Sequence, residues 1–123
     1  MSTFRDGMAN SRKPIKWMGS TKYDLSQFPL DVRLIMGHAL HLAQIGERHE
    51  DVKPLKGEFA GVDEIIVAGG DSDTYRTLYT TKLGDIVYAL DAFKKKSTKG
   101  SSLPKRDRER IKARLGAARA FAR

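Results

Sequence analysis

Three stretches of the sequence predict an α+β domain. Residues 30–45 repeat apolar side chains at three- and four-residue intervals, the period of a helix buried along one stripe. Residues 62–93 hold three strand-like runs joined by short, turn-rich links. From Pro104 onward the helical period returns. Helices followed by a run of neighbouring strands predict a mainly antiparallel sheet with helices packed on one face, in the order β-α-α-β-β-β-α. The opposite face of the sheet is then expected to be open.

The elements follow in chain order. Residues 1–12 carry little apolar content and are expected to form a flexible leader to a single domain over 13–123. "PIKWM" (14–18) alternates as a short first strand, and Ser20 is placed to cap a short helix that Pro29 ends or redirects. In the helix 30–45, Val32, Ile35, Met36, Ala39, Leu40 and Ala43 form the buried stripe, with Gly46 at its C′ position. Residues 47–61 read as a polar loop broken by Pro54, Gly57 and Gly61. The strand runs are "VDEIIVA" (62–68), "TYRTLYTT" (74–81) and "DIVYALDAF" (85–93), consecutive as hairpins would be. Pro104 suits the first turn of the last helix, whose apolar stripe is Ile111, Leu115, Ala118 and Ala122. Trp17 and Tyr23 are expected in the core.

The charge is distributed unevenly. Of the net +8, residues 1–93 contribute 11 Lys/Arg against 13 Asp/Glu, and residues 94–123 contribute 12 against 2. A segment this basic gains from a polyanion, most simply a nucleic acid or an acidic chain. In the last helix Arg106, Arg110 and Arg114 recur every four residues, a like-charge row that points to an anionic surface nearby. No apolar run approaches the 18 residues of a membrane span, no apolar export segment opens the chain, and there is no cysteine. A cytoplasmic protein without disulfides is expected. His38 and His41 are spaced i, i+3 without an evident third ligand, so no metal or other cofactor is expected. His49 lies in the polar loop as a further acid/base candidate.

Taken in order, "KPIKWMGSTKYDLSQFPLDVR", "GHALHLAQIGERHEDVKPLKG", "DTYRTLYTT" and "VYALDAFKKKSTKG..LPKRDRERIKARL" resemble the phage-derived, HigB-like branch of the RelE/ParE toxin superfamily. The resemblance spans about residues 13–118. It implies a toxin of a type II toxin–antitoxin module that cleaves mRNA, often on the translating ribosome, and is neutralised by a helix-turn-helix antitoxin. It also carries residues over. Lys53 and Lys56 match a basic loop, Glu64 an acidic strand position and Arg76 the arginine of the "YR" strand. Phe93, Lys95 and Lys96 match the aromatic-plus-lysine end of the last strand. Two positions depart: Asp91 stands where similar sequences commonly have His, and Ile66 where a basic residue is frequent. Those departures keep a non-catalytic basic nucleic-acid-binding relative as an alternative, beside the gyrase-inhibiting ParE branch.

Metal-free RNA cleavage needs a base for the 2′-OH, charge stabilisation at the phosphate and an acid for the leaving 5′-oxygen. Arg76 suits the phosphate because its fork grips two oxygens at once. A two-residue hairpin at Gly84-Asp85 would pair Arg76 with Phe93 and Leu78 with Asp91, putting Arg76, Asp91, Phe93 and Lys95 on one exposed sheet face. The expected catalytic set is therefore Arg76, Lys95, Glu64 and Asp91, with Glu64 or Asp91 as base. Phe93 would stack a base. Lys53, Lys56, Lys94, Lys96, Arg106 and Arg110 would hold the RNA backbone.

Overall fold

The computed structural model describes residues 12–95 and 103–123. Its elements are β1 (Ile15–Trp17), α1 (Thr21–Ser26), α2 (Leu30–Gln44), β2 (Val52–Pro54), a 3₁₀ turn (Gly57–Phe59), β3 (Val62–Ala68), β4 (Thr74–Thr80), β5 (Val87–Lys95) and α3 (Lys105–Ala122). The α+β class and the element order agree with the sequence reading. The strand β2 and the 3₁₀ turn lie within the stretch expected to be loop. A three-residue strand with Pro54 at its end is too short to show alternation, and it forms because β3 offers it a partner.

The sheet has five strands in the order β1-β5-β4-β3-β2. The meander β3-β4-β5 is antiparallel, β2 adds antiparallel to β3, and β1 adds parallel to β5 through Ile15–Val87 and Trp17–Ala89. Alternation gives the sheet two apolar faces. On one, Ile65, Val67, Tyr75, Tyr79, Val87 and Ala92 pack against Val32, Met36, Ala39, Leu40 and Ala43 of α2. On the other, Val62, Leu78, Tyr88 and Leu90 pack against Ile111, Leu115 and Ala118 of α3.

The arrangement of helices on one face describes α1 and α2; α3 covers part of the opposite face, which is not open. Its apolar stripe is the reason, since burying Ile111 and Leu115 is worth about 1.5–3 kcal/mol each. Trp17 is half-buried against the α2-side core, whereas Tyr23 is exposed on α1. An amphipathic ring on a two-turn helix can leave its hydroxyl in water.

One irregularity positions the site. Near the turn the register pairs Thr80 with Tyr88 and Tyr79 with Ala89, one step away from the Gly84-Asp85 hairpin expectation. A bulge at Leu90 then restores the expected pairs Leu78–Asp91 and Arg76–Phe93. An extra residue in one strand sends two consecutive side chains towards the same face. Leu90 and Asp91 therefore both meet α3.

Candidate functional site

The α3-side face carries the polar residues singled out from the sequence. Lys53 on β2 pairs directly with Glu64 on β3, so the two share this face. One row further along, Arg76 on β4 pairs with Ile66 and Phe93, and Thr74 pairs with Lys95. Five candidate residues from four strands thus lie on one surface beyond the α3-covered core. Lys53 is exposed, while Phe93 and Lys95 are half-buried.

Arg76 is not the exposed arginine the sequence implied. Its side chain is only 11% accessible, and its Nη1 donates to Glu64 Oε2 at 2.7 Å, where Glu64 is 6% accessible. A charge-assisted bond this short fixes the guanidinium over the sheet. The Arg76 Nε is buried with no hydrogen-bond partner among the described residues. Leaving a buried donor unpaired costs roughly 1–3 kcal/mol, so its persistence asks for a reason.

Asp91 stands differently. Its carboxylate is 2% accessible, and Oδ2 accepts from Arg110 Nε at 3.0 Å and Nη2 at 2.7 Å. Oδ1 accepts from Arg114 Nη1 and the Ala92 N–H, both at 3.0 Å. Arg114 Nη1 also donates to the Leu90 carbonyl at 3.0 Å, beside the bulge. With every lone pair directed at a donor, Asp91 is a clamp between β5 and α3.

The arginine row of α3 therefore finds its anion inside the protein. Asp91 and then burial, acting in opposite directions, dominate the state of Arg110, with Asp91 holding the guanidinium above its ordinary range; Asp107 adds a bond at 2.8 Å. Arg110 is committed to this clamp instead of projecting towards an RNA backbone, and Arg106 lies exposed one turn earlier. Arg114 reaches Asp91 by passing over Gly19, where a Cβ would meet its guanidinium at 2.6 Å.

The remaining candidates scatter. Lys94 faces the α2 side, paired with Asp73 at 3.5 Å. Lys56 is exposed just before the 3₁₀ turn. Lys96 and most of the leader lie outside the described residues. His49 accepts the Asp51 N–H at 3.0 Å and packs edge-on against His38 of α2, ring centroids 5.5 Å apart. That contact ties His49 to α2 and removes it from the Arg76 face.

A cleft of about 510 Å³ opens beside the outer edge of β5 and shares Phe93, Asp91 and Arg110 with the site. Tyr75 forms part of its wall and donates its hydroxyl to Asp71, which pushes the phenol up to about 12. Tyr75 is therefore neutral across physiological pH. Sequence reasoning missed this cleft because Ser20, Asp24, Gln27 and Phe28 come from α1 and its following turn, where no motif marks them.

No helix among the described residues is long and apolar enough to cross a membrane. No curated protein matches the chain. Among solved structures, the RelBE2 toxin–antitoxin complex of Mycobacterium tuberculosis aligns at 19% identity and a TM-score of 0.48, covering 67% of this chain and 90% of that one. The description of the phage-derived Gp49-like proteins matches residues 23–116, well over half of the sequence and including every strand from β2 to β5. The chain belongs to this phage-derived Gp49-like family, a family of RelE/HigB-like toxins.

Proposed function

We propose that the protein is an mRNA-cleaving toxin whose active surface is the α3-side face at the ends of β4 and β5. The observation that carries this reading is the Glu64–Arg76 pair beside Phe93, on the same face as Lys53 and Lys95. A guanidinium already oriented by a carboxylate and still holding donor capacity suits a phosphate whose charge grows in the transition state. Glu64 is the candidate base for the 2′-OH, Phe93 the stacking platform and Lys95 the cation nearest the scissile phosphate. Asp91 passes from candidate base to clamp. The strongly basic 94–123 segment favours an acidic antitoxin chain as the neutralising partner. The helix-turn-helix character of that partner and contact with the ribosome rest on the family resemblance.

The test is the order in which syntheses fail after induction in growing cells. RNA cleavage predicts that protein synthesis collapses first, with DNA synthesis following. Gyrase inhibition predicts the reverse order, and a non-catalytic binder predicts neither collapse. Co-expression of a small acidic partner encoded beside the gene should restore growth.

Lys95 and Lys94 provide an internal comparison, because alternation puts Lys95 on the Arg76 face and Lys94 on the other. Lys95→Ala is expected to lower the salt slope of single-stranded RNA binding by about 0.7 and to slow cleavage, with Lys94→Ala the milder variant for cleavage. Filter binding across a salt series and RNA cleavage rates measure both. Equal losses of cleavage from the two variants would contradict the assignment of faces.

A further inference from the structure

The cleft at the outer edge of β5 has a second kind of chemistry beside the phosphate-gripping face. β1 pairs with β5 only at Val87–Ala89, so beyond Ala89 that edge has no strand beside it among the described residues. α1 and the turn after it stand opposite. The walls are aromatic: Phe28 and Tyr75 meet at a ring-centroid distance of 4.8 Å on one side, and Phe93 lies on the other. The rim is polar and uncommitted to a single sign, with the Asp24 carboxylate and the Gln27 amide, which both donates and accepts. A volume of about 510 Å³ falls within the range of roughly 300–1,000 Å³ typical of small-molecule sites.

We infer that this cleft receives one unstacked base of the RNA, adjacent to the phosphate held by Arg76, and that Asp24 and Gln27 read its edge. The inference rests on the RNA-cleaving reading above and gives it a specificity determinant. Phe93 links the two sites, because it pairs across the strands with Arg76 and also lines the cleft. Aromatic side chains with mixed donors and acceptors at the rim are what single-stranded RNA recognition uses. An added peptide strand is the less suited occupant. The Ala92 N–H, an edge donor such a strand would need, is already given to Asp91 Oδ1 at 3.0 Å.

The test uses the whole folded chain, isotope-labelled for amide NMR and titrated separately with each of the four nucleoside monophosphates and with ribose 5-phosphate. Saturable shifts at Gln27, Ala92 and Phe93 from one or two of the nucleotides, with none from ribose 5-phosphate, are expected. Gln27→Ala, an exposed substitution, should reduce the spread in affinity between the best and worst nucleotide by roughly tenfold. The same variant should flatten the base composition at one position beside the cut sites mapped in cells. Equal shifts from all ligands, no shift at these amides, or shifts from an extended peptide but from no nucleotide would each overturn the base pocket. Base-selective binding without RNA cleavage in cells would support the cleft as a nucleotide site while overturning the cleavage reading. Cleavage with an unchanged base preference in Gln27→Ala would overturn the pocket alone.

Discussion

Arg76→Lys is expected to fold and to lose cleavage by roughly 10²–10³-fold, the loss typical of removing one oriented donor from a developing oxyanion. Lysine keeps a cation beside Glu64 but has no planar fork, so it cannot hold Glu64 and a phosphate oxygen in one fixed geometry. The choice of lysine matters. Arg76→Ala would strand Glu64 at 6% accessibility with its 2.7 Å partner gone, a change that typically costs about 3–5 kcal/mol. Inactivity of the alanine variant would then confuse unfolding with chemistry. Thermal unfolding and cleavage rates measured together on Arg76→Lys separate the two. Cleavage within a few-fold of the parent would remove Arg76 from the site.

Asp91→Ala is expected to act through stability. It removes the acceptor shared by Arg110 and Arg114, two partly buried guanidinia at 31% and 16% accessibility, leaving Arg110 with Asp107 alone and Arg114 with no carboxylate among the described residues. A loss of about 3–5 kcal/mol follows, which for a domain of this size lowers the unfolding midpoint by roughly 10–20 °C. The last helix should loosen first, because Asp91 joins it to β5 beside the core contacts of Ile111 and Leu115. Amide exchange along residues 105–122 would show this as protection lost ahead of the strands. A variant with unchanged midpoint and no cleavage would instead make Asp91 a catalytic group.

These two residues also show what the sequence reveals and what it hides. The meander and the core helix were legible because period-2 and period-3.6 patterns survive in residues 62–93 and 30–45. The pairing of Arg76 with Phe93 was anticipated through a hairpin register that the turn does not adopt. The Leu90 bulge supplies the missing step, and no local signal in "YALDAF" announces it. The partners of Asp91 were visible only as an unexplained row of arginines. A period-4 charge pattern says that an anion is near but not that it belongs to the same chain. Glu64 and Arg76 are separated by 11 intervening residues in sequence and joined by a diagonal across two strands, a contact that follows once the register is known. The cleft was illegible, because it depends on how α1 leans against an edge that β1 leaves uncovered.

On this reading the β4–β5 face cuts RNA by promoting attack of the RNA's own 2′-OH on the adjacent phosphate. Such a reaction leaves a 5′-hydroxyl on the downstream fragment, because the 5′-oxygen is the leaving group. The most direct measurement is therefore selective capture and mapping of 5′-hydroxyl ends in mRNA after inducing the parent chain and Arg76→Lys side by side. New 5′-hydroxyl ends within coding regions are expected for the parent, and their loss in the variant. Growth arrest by the parent with no such ends, or with the same ends produced by Arg76→Lys, would contradict that reading.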